Sequence, residues 1–289
     1  MKHAYLILAH NEFEILQLLV SRLDDCRNDI YVHFDKKVTV VPKLRVGRSR
    51  LFILDDRLDV RWGGFSMIEA EYALFSAATS NGPYAYYHLL SGVDLPLKNQ
   101  EYIHRFFSLH EGEEFIGFTW TKMPDDFRRK VLCRHLFAED FKGRNIIKRA
   151  LRAGFLYLQE TLGLYRNKDV DFKKGSQWVS ITDGMASYFL DHKDWVRKVF
   201  RSTFCCDELV MQTLCWKSPF RQNLHSLDSD SDGNMRAIGW RKRPGSKECV
   251  LVDWSAQDWD VLENSPALFA RKFNSIDPAF IEKVVSLSQ

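Results

Sequence analysis

The chain has 289 residues, 45% of them hydrophobic and 13% aromatic, which suits one large α/β domain with a packed core and excludes a disordered or fibrous chain. Its 41 Lys and Arg against 38 Asp and Glu leave a formal net charge of +3, far from the basic balance of a chromatin or RNA-coating protein. The six cysteines show neither a CxxC pair nor a regular spacing, so a disulfide framework and a zinc knuckle are both unsupported and a reducing compartment is expected.

In chain order, HAYLILAH reads as a buried strand, and EFEILQLLVSRLDD follows with Phe13, Leu16, Leu19, Val20 and Leu23 at helical spacing. The apolar run at the start is too short for a secretory signal or a membrane span. DIYVHFD and LFILDD read as further strands, SMIEAEYALFSAAT as a helix, and YAYYHLLSGVDLPL as a strand running into a loop. This alternation predicts a mostly parallel sheet flanked by helices. Farther on, FIGF and QWVSIT read as strands. RNIIKRALRAGFLYLQETLGLY, DGMASYFLDHKDWVRKVFR (starting after Thr182 or Asp183) and DELVMQTLCW read as helices. No repeat or low-complexity linker divides the chain, so the reading is a single α/β domain with an elaborated C-terminal half.

Ligands of such sheets sit outside the carboxyl ends of the strands. The residues just past the apolar runs are His10 and Asn11, His33 and Asp35, Asp55 and Asp56, and Ser91 to Asp94. Each taken alone is also ordinary loop polarity. DSDSDG starts like a calcium loop, but the twelfth position from Asp228 is Gly239 where a bidentate Glu belongs, so a solvated acidic loop is expected. It also matches a DxD metal element formally, although in a late loop. In FCCDELV, neighbouring side chains on a helix point about 100° apart and cannot converge on one ion. Asp207 suits a helix cap, and Glu208 is then either structural or free to take a proton. GxGxxG, GxxxxGK[ST], GxSxG and HExxH are all absent. The Gly and Ser of GSQWVSIT fit either a close approach of backbone to a ligand or a tight turn. Cations gather late, at Arg236, Arg241, Lys242, Arg243 and Lys247. Arg271 and Lys272 then stand between Phe269 and Phe273, where a desolvated cation calls for an anionic partner such as pyrophosphate.

Together, WGGFSMIEAE, SGVDLPL, GSQWVSIT, CCDELVMQTL and LFARKF resemble the core-2/I-branching family of β-1,6-N-acetylglucosaminyltransferases, which also holds peptide O-xylosyltransferases. The likeness runs from HAYLILAHNE to LFARKFN, nearly the whole chain. It implies a GT-A-like fold over residues 1–289, with a nucleotide-binding half (1–100) and an acceptor and catalytic half (101–289). It also implies inverting transfer of a sugar, GlcNAc first and xylose as the alternative, from a UDP-sugar to a glycan or lipid-linked glycan hydroxyl, with neither cofactor nor divalent metal. By this resemblance Glu208 is the general base beside Asp207. Lys272 and Arg236 meet the departing UDP, with Arg243 as the other candidate arginine. His10, Asn11, Asp35 and Lys36 lie near uracil and ribose, Trp62 and Ser66 near the diphosphate, and Asp94, Gln177 and Trp178 near the donor sugar or acceptor. Arg128 and Arg134 are acceptor contacts. The family's animal members carry a membrane anchor and a disulfide-rich stem. Neither is seen here, so a bacterial cytoplasmic enzyme is expected, making no nucleic-acid contact. Lys142, Arg144, Lys148, Arg149 and Arg152 among apolar residues suit either a plain surface helix or an anionic membrane face. A non-catalytic glycan-binding protein of the same fold is the reading from another class.

Overall fold

A computed structural model describes residues 2–119, 125–140, 143, 145–243, 245 and 249–289. The first half alternates as the sequence predicts: β1 (His3–Ala9), α1 (Phe13–Arg22), β2 (Asn28–Phe34), β3 (Arg50–Ile53), α2 (Ser66–Thr79), β4 (Tyr86–Ser91), β5 (Asp94–Pro96) and α3 (Gln100–Leu109). It continues through α4 (Asp125–Leu132), α5 (Ile146–Thr161), β6 (Ser180–Ile181), α6 (Asp183–Asp191), α7 (Lys193–Phe200), α8 (Val210–Trp216) and α9 (Asp230–Asn234). β7 (Arg236–Ile238), β8 (Trp240–Lys242), β9 (Cys249–Leu251), α10 (Trp259–Glu263), β10 (Phe269–Arg271) and α11 (Pro278–Ser286) complete the described elements.

The central sheet has the order β3-β2-β1-β4-β6. All pairings are parallel except β4 with β6. β1, β2 and β4 are buried at every position, as strands covered on both faces must be. Alternate side chains divide between two cores. Ala4, Leu6 and Leu8 pack with α2, α6 and α8, while Tyr5, Ile7 and Ala9 pack with α1, α3 and α11. The fold is therefore α/β with a mostly parallel sheet between helical layers, consistent with a GT-A-like arrangement.

A second sheet, β5-β10-β7, joins the two ends of the chain. Its register sets Asp94 opposite Arg271 and Arg236 opposite Phe269. Of the predicted elements, QWVSIT is a strand only at Ser180–Ile181 and the helix of DELVMQTLCW starts at Val210, and two others differ further. FIGF contributes only isolated bridges, Phe115 to Ser180 and, just before it, Glu114 to Leu224. The predicted helix after Thr182, whose side chain caps it by accepting from the Met185 amide, divides at His192. There the imidazole donates to the Tyr188 carbonyl at 2.8 Å and stacks on the Tyr188 ring.

Asn145 caps α5, accepting from the Lys148 amide. This helix leaves Ile146, Ile147, Leu151, Tyr157 and Leu158 exposed. Arg152, expected on its surface, is 8% exposed instead, with its guanidinium donating to the Leu136 and Asp140 carbonyls. Lys142 and Arg144 lie outside the described residues, as does Lys247. Among the described residues no helix is long and apolar enough to cross a membrane.

Candidate active site

The strand order turns back between β1 and β4, since the chain runs outward from β1 through β2 to β3 and then returns to the other side of β1. Neighbouring crossovers leave the sheet in opposite directions there, which opens a crevice at the carboxyl ends. A cavity of about 1000 Å³ occupies this place. Its floor comes from His10 and Asn11 after β1, Asp35 after β2, and Ser91 to Val93 after β4. The Asp35 amide donates to the Ala9 carbonyl and its carboxylate accepts from Lys37 Nζ at 2.6 Å, which ties the first two strand ends together.

One wall is the turn carrying Asp207 and Glu208. Gly63 (φ +71) accepts at its carbonyl from the Cys205 amide, and Phe204 lies where a Gly63 side chain would start. Behind the turn, the Gly175 amide donates to the Glu208 carbonyl at 3.0 Å. A Cβ on Gly175 would run into the Gly117 carbonyl oxygen. The glycine of GSQW therefore serves a backbone crossing that holds the Glu208 turn. Asp207 does not cap the following helix: Cys206–Glu208 is a 3-10 turn, and α8 begins after Leu209 without a side-chain cap.

The Glu208 carboxylate faces two ammonium groups, Lys174 at 3.2 Å and Lys130 at 3.8 Å. Asp207 behaves differently. Burial, and then the Glu208 charge beside it, push its carboxyl up to about 6. Its Oδ1 is buried and finds no hydrogen-bond donor among the described residues. Glu71 below is pushed up to about 8, chiefly by burial, although Gln177 Nε2 donates to it at 2.7 Å.

Unfolded glutamate ionises near 4.3, so between there and pH 8 the folded chain holds a proton that the unfolded chain has lost. The stability that Glu71 allows at low pH is therefore lost as pH rises through about 8. Glu71→Gln keeps the acceptor for Gln177 without ionising. Its Tm relative to the parent is expected to gain several degrees between pH 6 and pH 9 in scanning fluorimetry; an offset identical at the two pH values contradicts this.

The opposite wall is β10 and the residues after it. Phe269 and Arg271 share one face of the strand by its period of two. The Arg271 guanidinium donates to Asp94 at 3.2 Å and lies flat over the Trp178 ring, 4.2 Å from its centroid. Lys272 Nζ pairs with Asp253 at 3.1 Å and keeps about a third of its side chain exposed. Burial first, and then the charges of Lys37, Arg271 and Lys272 against the opposing pull of Asp35, hold the His10 imidazole below the usual value.

The cavity thus brings together His10, Asn11, Asp35, Trp62, Gln177, Trp178, Asp207, Glu208 and Lys272 from the sequence reading. Seven others lie outside its lining. Arg236 is 1% exposed, and its guanidinium donates to the Asn234 and Val179 carbonyls and Ser180 Oγ and lies over Phe269. Burial pulls it down to about 10, and here it serves as an internal strut away from the cavity lining. Arg243 follows β8 on the exposed side of the hairpin, whose Trp240 and Leu251 reach the cavity instead. Lys36 is exposed because the chain turns Asp35 inward, and Lys37 is the lysine that pairs with Asp35. Ser66 sits at the start of α2, where its hydroxyl donates to Glu139. Asp94 is 1% exposed and stands behind Arg271. Arg128 and Arg134 are exposed on and just after α4.

Sequence reasoning did not assign Arg271, Lys174, Asp230 or Asp253 to this site, and all four line it. Asp230 belongs to DSDSDG, expected as a solvated loop, yet its carboxylate accepts from the Ser176 amide at 2.8 Å. Arg271 already reads with Lys272 as a desolvated cation between two phenylalanines, and only its role is given to Lys272 alone.

No curated protein matches the chain. A family model described as Core-2/I-Branching enzyme matches residues 3–283, and the chain belongs to that family of glycosyltransferases.

Proposed function

We propose that the chain transfers a sugar, GlcNAc in our reading, from a UDP-sugar to a glycan or lipid-linked glycan hydroxyl, with inversion and without a divalent metal. The observation that carries this is that Glu208 and the Arg271–Lys272 pair, far apart in sequence, line one cavity at the switch point of the sheet. Uracil and ribose then occupy the end near His10, Asn11 and Asp35, and Trp178 with Gln177 flanks the sugar.

In the transfer step the acceptor oxygen attacks the anomeric carbon from the face opposite UDP. Its proton passes to the Glu208 carboxylate as the new glycosidic bond forms. The bond from the anomeric carbon to the β-phosphate oxygen breaks, and its electron pair leaves with UDP. Lys272 and Arg271 are fixed cations where that charge develops, so they need not reorganise as it grows. Lys174 Nζ, 3.2 Å from the Glu208 carboxylate, holds it in place at the cavity wall.

Slow UDP release from a panel of UDP-sugars, measured on the full chain with EDTA throughout, tests this reading. One donor is expected to turn over at an unchanged rate in EDTA. Activity that vanishes in EDTA and returns with Mn²⁺ overturns the cation assignment. Absence of any UDP-induced rise in Tm overturns the donor assignment as well.

A further inference from the structure

On the far side of the carboxyl-end cavity's floor, α3 ends in a short turn that carries His110 and Glu113, and a distant loop brings His225 against it. His110 Nδ1 donates to Glu113 Oε1 at 3.2 Å and His225 Nδ1 to Glu113 Oε2 at 2.6 Å. One donor atom from each of the three residues lies within 4.8 Å of the others. Among the described residues this is the one His/Cys/Asp/Glu set so arranged. None of the three lines the cavity.

The frame beneath them is rigid. The Tyr86 hydroxyl reaches the His110 carbonyl at 2.5 Å and the Glu113 carbonyl at 3.1 Å, and the Glu113 amide donates to the His110 carbonyl. The His225 amide donates to the Glu114 carbonyl at 3.0 Å, which locks the loop to the turn. Both imidazoles are set by aromatic neighbours: His225 stacks on Phe115 with centroids 4.4 Å apart, and His110 packs on Phe106 at 4.6 Å. Each ring is partly open to solvent, as is the carboxylate.

We propose that His110, Glu113 and His225 form a binding site for a divalent transition-metal ion, Zn²⁺ by donor type, which clips the end of α3 to the 223–225 loop. Two imidazoles and one carboxylate are a borderline-soft set suited to zinc, with a fourth position left for water. Donor atoms around a tetrahedral ion with bonds of about 2.1 Å stand about 3.4 Å apart, so side-chain rotations of about 1 Å close the triad on an ion. The ion takes the place of the two N–H groups now directed at Glu113, each neutral imidazole carrying its proton on Nε2 once Nδ1 ligates. A simple hydrogen-bonded cluster is the competing description, and it binds no stoichiometric metal.

The test is Co²⁺ and Zn²⁺ titration of EDTA-treated, dialysed full-length protein. One Co²⁺ per chain is expected, with visible absorption bands of four- or five-coordinate cobalt. Zn²⁺ at 100-fold over its Kd is expected to raise Tm by about 5 °C. Both signals are expected to be lost in His225→Gln and in Glu113→Gln, and retained in a Cys26→Ser, Cys249→Ser control that removes the exposed thiols. Bands or Tm shifts unchanged in those two variants, or no saturable binding, overturn the site. Should one variant fold poorly, the other still decides. Neither readout uses turnover, so the clip and the transfer reaction stand or fall separately.

Discussion

Glu208→Gln is expected to lower kcat by about 10²–10⁴-fold while leaving UDP affinity within about threefold of the parent. Glutamine has the shape and the acceptor oxygen of glutamate but cannot take the acceptor proton, and positioned general bases contribute a factor of this size. The turn itself is held by backbone, through Gly175 to the Glu208 carbonyl and Cys205 to Gly63, so the substitution leaves the frame intact. UDP release under saturating donor, together with UDP titration by fluorescence, measures the two quantities. A kcat within about threefold of the parent removes Glu208 from the role, and Asp207, the other carboxylate of the turn, becomes the group to examine.

The second large effect concerns the leaving group. Lys272→Ala is expected to reduce kcat by about 10²–10³-fold, corresponding to about 2.7–4 kcal/mol of lost stabilisation of the developing phosphate charge. Arg271→Ala should show a similar loss and in addition a lower Tm, because Asp94, 1% exposed, then keeps a carboxylate without its guanidinium. Arg236→Met separates the two arginines. It leaves the buried Asn234 carbonyl without its donor, while Val179 keeps the Leu89 amide, and costs about 1–3 kcal/mol, so it is expected to lower Tm with turnover near that of the parent. Folded Arg236→Met protein with a hundredfold slower turnover reverses the assignment of the two residues. Activity and Tm recorded on the same preparations distinguish these cases.

The parallel sheet was legible because its strands are short apolar runs joined by helical periods, and the crevice followed from where such runs end. His10, Asn11 and Asp35 were reachable in this way. The family motifs added Glu208 and Lys272, whose distance in sequence gives no hint that they share a cavity. The misassigned arginine has a different origin. MRAIGW and LFARKF look like two independent basic stretches, but β7 and β10 are hydrogen-bonded neighbours, and their register turns Arg236 inward over Phe269. Strand register of this kind depends on pairing between residues far apart in sequence, which local patterns do not encode. Of the two readings of Asp207, cap and neighbour of the acceptor, the cap fails for a local reason: the chain makes a 3-10 turn before α8, so the position that a helix start would make a cap became a wall of the cavity. Gly175 offered two readings, and only the crossing with Gly117 decides between them.

Each cation on the cavity walls already has a counter-charge of its own: Asp253 for Lys272, Asp94 for Arg271 and Glu208 for Lys174. The cavity is thereby no bare positive funnel, in keeping with the near-balanced charge of the whole chain. On the proposed reading, a nucleotide diphosphate trades partners with Asp253 to reach Lys272, and the same carboxylate reclaims the lysine once the sugar has gone. Discharge of the spent nucleotide is then helped by an acid the protein keeps in reserve, and grip is exchanged for turnover.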